Sequence, residues 1–134
     1  MHVEFMVLGP PTSNQSANSV ALAGWKAAVK AAAQEAWTEA PLKGNLKSII
    51  INFHIGEKPS VDVDNMSKPI HDMMNKLVYD DDRQIRQAEL VHVQITTPMV
   101  FAGAAKMITD AVQRGLPFVY VRIEDPVEPY PLPK

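Results

Sequence analysis

Four segments of period-two hydrophobicity alternate with three of helical period. They predict an α/β or α+β fold in the order β-α-β-α-β-α-β, a mixed sheet covered by helices. Two observations narrow this. The 134 residues are 46% hydrophobic and 21% charged, the proportions of one ordinary globular domain. The third strand follows the second helix closely, which favours a mixed over an all-parallel sheet. There is no internal repeat, so the expectation is a single domain over residues 1–125 and a proline-rich extended tail over 126–134.

The elements follow in order. "HVEFMVL" (2–8) sets Val3, Phe5 and Val7 against Glu4 and Met6, a strand. "GPPTSNQSANS" (9–19) is a loop by composition and, at eleven residues, of a length often used for function. Residues 20–37 form an alanine-rich helix with Leu22, Trp25 and Val29 on its apolar stripe and Lys26, Lys30 and Gln34 on another face. "SIIINFHI" (48–55) is a strand with Ile49, Ile51, Phe53 and Ile55 on one face. Met66, Ile70, Met73 and Leu77 mark a helix from about 65 to 77, with Pro69 expected near its first turn. A strand over 85–97 points Val91, Val93 and Ile95 inward, and a short helix over 102–115 closes at Gly115. Residues 116–124 are the last strand. Its tail carries four prolines in ten residues and reads as loosely held.

Several classes are excluded. The absence of cysteine removes disulfides and thiolate zinc sites, and fits a cytoplasmic location. No run of about 20 apolar residues spans a membrane, and the N-terminus lacks the features of a signal peptide. Net charge is −2, but its distribution is uneven. Residues 1–61 balance at +1, residues 62–82 at −4 and residues 83–134 at +1. No basic stripe marks a strong phosphate-binding face.

The negative excess lies in "DVDNMSKPIHD" and "YDDDRQI", which together hold Asp62, Asp64, Asp72, Asp80, Asp81 and Asp82. Asp62 and Asp64 are two apart at a strand-to-helix transition, where extended backbone turns both side chains to one side. Asp64 can serve as the helix N-cap. Asp64, Lys68 and Asp72 then follow at i, i+4 and i+8 on one stripe. Oxygen ligands without cysteine suit a hard cation, Mg²⁺ or Mn²⁺. A helix over 65–76 is about 18 Å long, and six further residues reach roughly 20 Å. That makes Asp82 a possible third ligand and Asp80 a poorer one. An EF-hand fails, because Ser67 stands where glycine is needed and Met73 where glutamate is needed. A solvated acidic face with an ordinary turn and helix cap is the competing reading. His54 and His92 read as outward-facing strand residues and His71 as a surface residue. Trp25 and Trp37 read as core anchors.

The joint pattern Asp62-x-Asp64-Asn65-x-x-Lys68, Asp72 and Asp81-Asp82-x-Gln84 resembles the RusA-type Holliday junction resolvases. "GPPTSNQ" is similar to the loop after the first strand in that family, and the likeness runs in order over about residues 3–97. The resemblance implies a homodimeric, Mg²⁺-dependent endodeoxyribonuclease of phage or prophage origin that makes paired nicks in four-way DNA junctions during recombination and repair. Mn²⁺ is a possible substitute. It implies that Asp62, Asp64 and Asp82 are metal-binding catalytic carboxylates and Lys68 a catalytic lysine that also meets the DNA. Asp72 and Asp81 are then neighbouring acidic residues, and Asn14 lies in a DNA-facing loop. Where that family carries an arginine run before the first aspartate, this chain reads "GEKPSV". A nuclease for other branched DNA and a non-catalytic nucleic-acid-binding module are the alternatives.

Overall fold

The computed structural model describes residues 1–134. Val3, Phe5 and Val7 alternate along β1 (Val3–Leu8) and are buried. Asn18 accepts the Ala21 N–H at 3.0 Å and opens α1 (Ser19–Ala36), filling one of the donors that a helix start leaves free. Trp25, Val29 and Ala33, each four residues apart, are its buried face. Then come β2 (Leu46–His54), α2 (Val63–Met74), a single 3₁₀ turn (Asp82–Gln84), β3 (Ile85–Gln94), α3 (Lys106–Gln113) and β4 (Phe118–Glu124).

The four strands form one sheet in the order β1-β4-β2-β3. β4 is antiparallel to β1 and β2, whereas β2 and β3 are parallel. A parallel pair needs a crossover, and α2 supplies it. The fold is the α+β arrangement with a mixed sheet that the order of elements predicts. Gly115 ends the α3 segment at φ +70°, a left-handed position that glycine adopts without a side-chain clash.

Both faces of the sheet are covered. Seventeen buried residues join β1, β2 and β4 to α1 and α2 on one face. A smaller cluster of Phe53, Ala111, Phe118 and Tyr120 lies under α3 on the other, with Phe53 and Phe118 stacked at 4.4 Å. This corrects the facing of two strands. In β2 the buried positions are Leu46, Ser48, Ile50 and Asn52 on one face and Phe53 on the other, while Ile49 and Ile51 are half-buried. In β3 the apolar Val93 packs toward α3, and His92 turns to the face that carries Asn52. When both faces are apolar, alternation shows two faces but not which is deeper.

α2 begins two residues earlier than periodicity indicates. Asp62, with φ −75° and ψ 152°, is its N-cap, so Asp64 belongs to the first turn and Pro69 lies in the helix interior. Beyond Glu124 the tail has no regular element. The Gln87 side chain nonetheless exchanges two 3.0 Å hydrogen bonds with the Val127 backbone.

Candidate metal and nucleic-acid site

The N-terminal turn of α2 carries two free carboxylates. Asp62 makes no side-chain capping bond, and both Asp62 and Asp64 are exposed. Neither enters an ion pair with any lysine, arginine or histidine. The helix start favours negative charge and lowers the cost of keeping the two together.

The loop after β1 is tied to the same turn. Pro69 has no N–H to give the carbonyl four residues back, which belongs to Asn65. Asn14 donates its backbone N–H to that carbonyl instead, at 3.1 Å. Ser60 Oγ also donates to the Pro11 carbonyl at 3.4 Å. A cleft of about 370 Å³ lies between the loop and residues Ser60 and Val61, beside Asp62.

Lys68 bonds Asp72 at 3.1 and 3.4 Å, so its partner is the carboxylate one turn ahead, not Asp64. Its ammonium is exposed to solvent. The three aspartates after α2 separate by their partners. Asp80 pairs with Lys43. Asp81 caps the 3₁₀ turn by accepting the Arg83 N–H at 2.8 Å and pairs with the Arg83 side chain, which holds its carboxyl below the usual range. Asp82 has no cation, and its Oδ1 is shielded from solvent without a hydrogen-bond partner.

Gln84 fixes this turn. Its Oε1 accepts the Asp80 and Asp81 N–H groups at 2.8 and 2.9 Å, and its Nε2 donates to the Leu42 and Gly44 carbonyls at 2.9 Å. Asp82 thereby stands against the C-terminal half of α2. Burial raises the Tyr79 hydroxyl pKa, helped by the nearby Asp82 charge, and Tyr79 donates to the His71 carbonyl at 2.7 Å. Burial lowers the His71 pKa, against the opposing charges of Asp82 and Asp72. His71 Nε2 and Ser48 Oγ are bonded at 2.9 Å. His71 is therefore half-buried and bonded to Ser48, not the free surface residue that its helix position indicates.

The structure thus gathers Asp62, Asp64 and the Asn14 loop at one end of α2. The charge of Asp82 acts on His71, further along the same helix. No group of three or more acidic or histidine side chains is drawn together as an ion cage. The donors still fit a hard cation: Mg²⁺ takes one or two carboxylates and keeps several waters, and the free oxygens of Asp62 and Asp64 meet that need. Sequence reasoning missed the His71–Ser48 and His92–Asn52 pairs. Their readable sign is Ser48 and Asn52 standing in an otherwise apolar strand.

No helix is long and apolar enough to cross a membrane. A family model described as Endodeoxyribonuclease RusA matches residues 12–102, a span from the Asn14 loop through β3. No curated protein matches the chain.

Proposed function

The chain belongs to the RusA family of endodeoxyribonucleases, hydrolases that act on Holliday junctions, and on that premise we propose Mg²⁺-dependent phosphodiester hydrolysis at the N-terminal turn of α2. Enzymes of this family generally depend on a divalent metal, and branched DNA is the partner that membership implies. The observation that carries the reading is the pair of unpartnered carboxylates, Asp62 and Asp64, in a chain whose Asp80 and Asp81 are each neutralised by a neighbour.

In this reading Asp62 and Asp64 hold the cation, with Mn²⁺ as a substitute, and Asp82 adds the oxygen that has no partner in the protein. The cation supplies a water of lowered pKa and charge neutralisation at the phosphate. Lys68 stabilises the charge that gathers on the phosphate oxygens as the phosphorus–oxygen bond to the 3′ side breaks. Asp72 orients Lys68 through their ion pair. Asn14 and Lys68 approach the DNA backbone, Asn14 from the loop latched to Asn65. Asp81 keeps the turn that presents Asp82. A junction has two-fold symmetry, so a C2 homodimer presents two such sites to opposite strands and makes paired nicks. Recombination and repair of DNA are the processes this activity serves.

Cleavage of a synthetic mobile four-way junction tests this, with Mg²⁺, Mn²⁺ and Ca²⁺ in parallel and flap and fork substrates at matched salt. Asp64→Asn is expected to abolish cleavage while junction binding in Ca²⁺ persists. Undiminished cleavage by Asp64→Asn overturns the mechanism. Sedimentation at several concentrations checks the homodimer.

A further inference from the structure

Free lysines gather where α1 meets the end of α2. Lys26 and Lys30 stand one turn apart on α1, in the same row. One flank of that helix, Ala32, Glu35 and Ala36, shares a cleft with Glu4 of β1 and Met107 of α3. Lys30 lies on the other flank, in a cleft of about 240 Å³ that it shares with Asp72, Met73, Asn75 and Lys76. Lys26, Lys30 and Lys76 enter no ion pair. The carboxylate in the cleft, Asp72, is already bonded to Lys68 at 3.1 and 3.4 Å. The row Asp64, Lys68, Asp72 thus leads along α2 from the acidic turn into a cleft whose remaining charges are positive.

Lys76 gives an independent sign. It follows Asn75, the C-cap of α2, at φ +69°. Glycine ordinarily fills that position, because a side chain strains a left-handed backbone. Lys76 is exposed, so its side chain does not repay the strain in the core. Strain of this kind concentrates at ligand clamps and active sites.

We propose that Lys30 and Lys76, with Lys26 continuing the row, hold the phosphate backbone of a DNA arm as it leaves the acidic turn. The proposal rests on the reading of that turn as the nuclease site. α2 has 12 residues and is about 18 Å long, the length of about five base-pair steps at ~3.4 Å each. The cleft therefore meets the arm about half a duplex turn from the phosphate that is cut. Contacts of this type fix the position of the duplex and read no sequence.

Equilibrium binding of a four-way junction in Ca²⁺, repeated over a series of salt concentrations on the full chain, tests it. Lys30→Gln and Lys76→Gln are each expected to lower the slope of log affinity against log salt by about one. With Lys26→Gln added to both, the expected fall is about three. Lys30→Arg, which keeps the charge, is expected to keep the slope. Arg114→Gln removes an equally unpaired and exposed charge at the end of α3, on the other face of the sheet, and is expected to leave the slope unchanged. No fall in the triple variant, while the natural chain binds, overturns the cleft alone. A fall in Arg114→Gln as large as in Lys30→Gln assigns the effect to net charge and also overturns it. Absence of salt-dependent junction binding by the natural chain overturns the DNA reading on which the proposal stands.

Discussion

Asn14 donates its backbone N–H to the Asn65 carbonyl across 3.1 Å, and Pro69 is the reason that carbonyl is free. A helix residue at 69 with an N–H would bond Asn65 itself. The proline therefore costs α2 one internal hydrogen bond and gives the loop after β1 an anchor at the acidic turn. Pro69→Ala restores the competing donor. The Asn14 amide is then expected to exchange with solvent about tenfold faster, equivalent to roughly 1.4 kcal/mol and near the net value of one hydrogen bond. Hydrogen exchange at that amide measures it. Exchange no faster than in the natural chain would show that the anchor is independent of the proline.

Lys68 and Asp72 should separate chemically although they touch. Lys68→Ala is expected to lower kcat by about 10²- to 10³-fold, the usual effect of removing a donor that meets transition-state charge. Asp72→Asn is expected to change kcat less than about threefold, since an exposed i,i+4 pair is worth only roughly 0.3–0.5 kcal/mol. Single-turnover cleavage at saturating protein gives both numbers. Equal losses would make Asp72 part of the reacting centre.

Gln84 is a structural staple with four hydrogen bonds to backbone groups. Gln84→Ala is expected to destabilise the fold by about 2–6 kcal/mol, at about 0.5–1.5 kcal/mol for each of the four bonds. Urea unfolding reads this as a lower midpoint with an unchanged slope. Cleavage should fall as well, because the same turn presents Asp82.

Acid should weaken the fold through His71. Burial depresses its native pKa below the ordinary 6.5, and the charges of Asp82 and Asp72 oppose that without winning. The unfolded chain then takes up a proton near pH 6.5 that the native chain refuses. Stability is complete above that pH and is lost as pH falls from there through the depressed native value. Thermal unfolding in chelator between pH 7.5 and 5 is expected to show this decline, and His71→Gln to flatten it. A slope that survives in His71→Gln would assign the effect to another group.

The sequence's legibility followed the range of the interactions. The apolar face of α1 through Trp25 and Val29 is set by neighbours a few residues apart and could be read. The same holds for the two carboxylates at the start of α2, although Asp62 and not Asp64 is the cap. The parallel pairing of β2 with β3 joins residues about 40 positions apart, such as Asn52 and His92, and nothing local encodes it. Two-sided burial hid which face of β2 is deeper. Asp82 is the instructive case: chain length allows a return toward Asp62, and the turn it returns from is held by the Gln84 staple to residues 42 and 44, a contact no local pattern encodes.

β3 lies at the rim of the sheet with only β2 bonded to it. Such a rim offers a row of amide groups to any other extended chain, and is where misassembly begins. Beside it, Gln87 and Val127 exchange two hydrogen bonds as two strand residues would. The proline-poor half of that pairing comes from a side chain, and the tail that completes it contains Pro126, Pro129, Pro131 and Pro133, which cannot extend a ladder further. The tail is thus held beside that rim at Val127 without joining the sheet, and truncation after Glu124 is expected to lower solubility at high concentration.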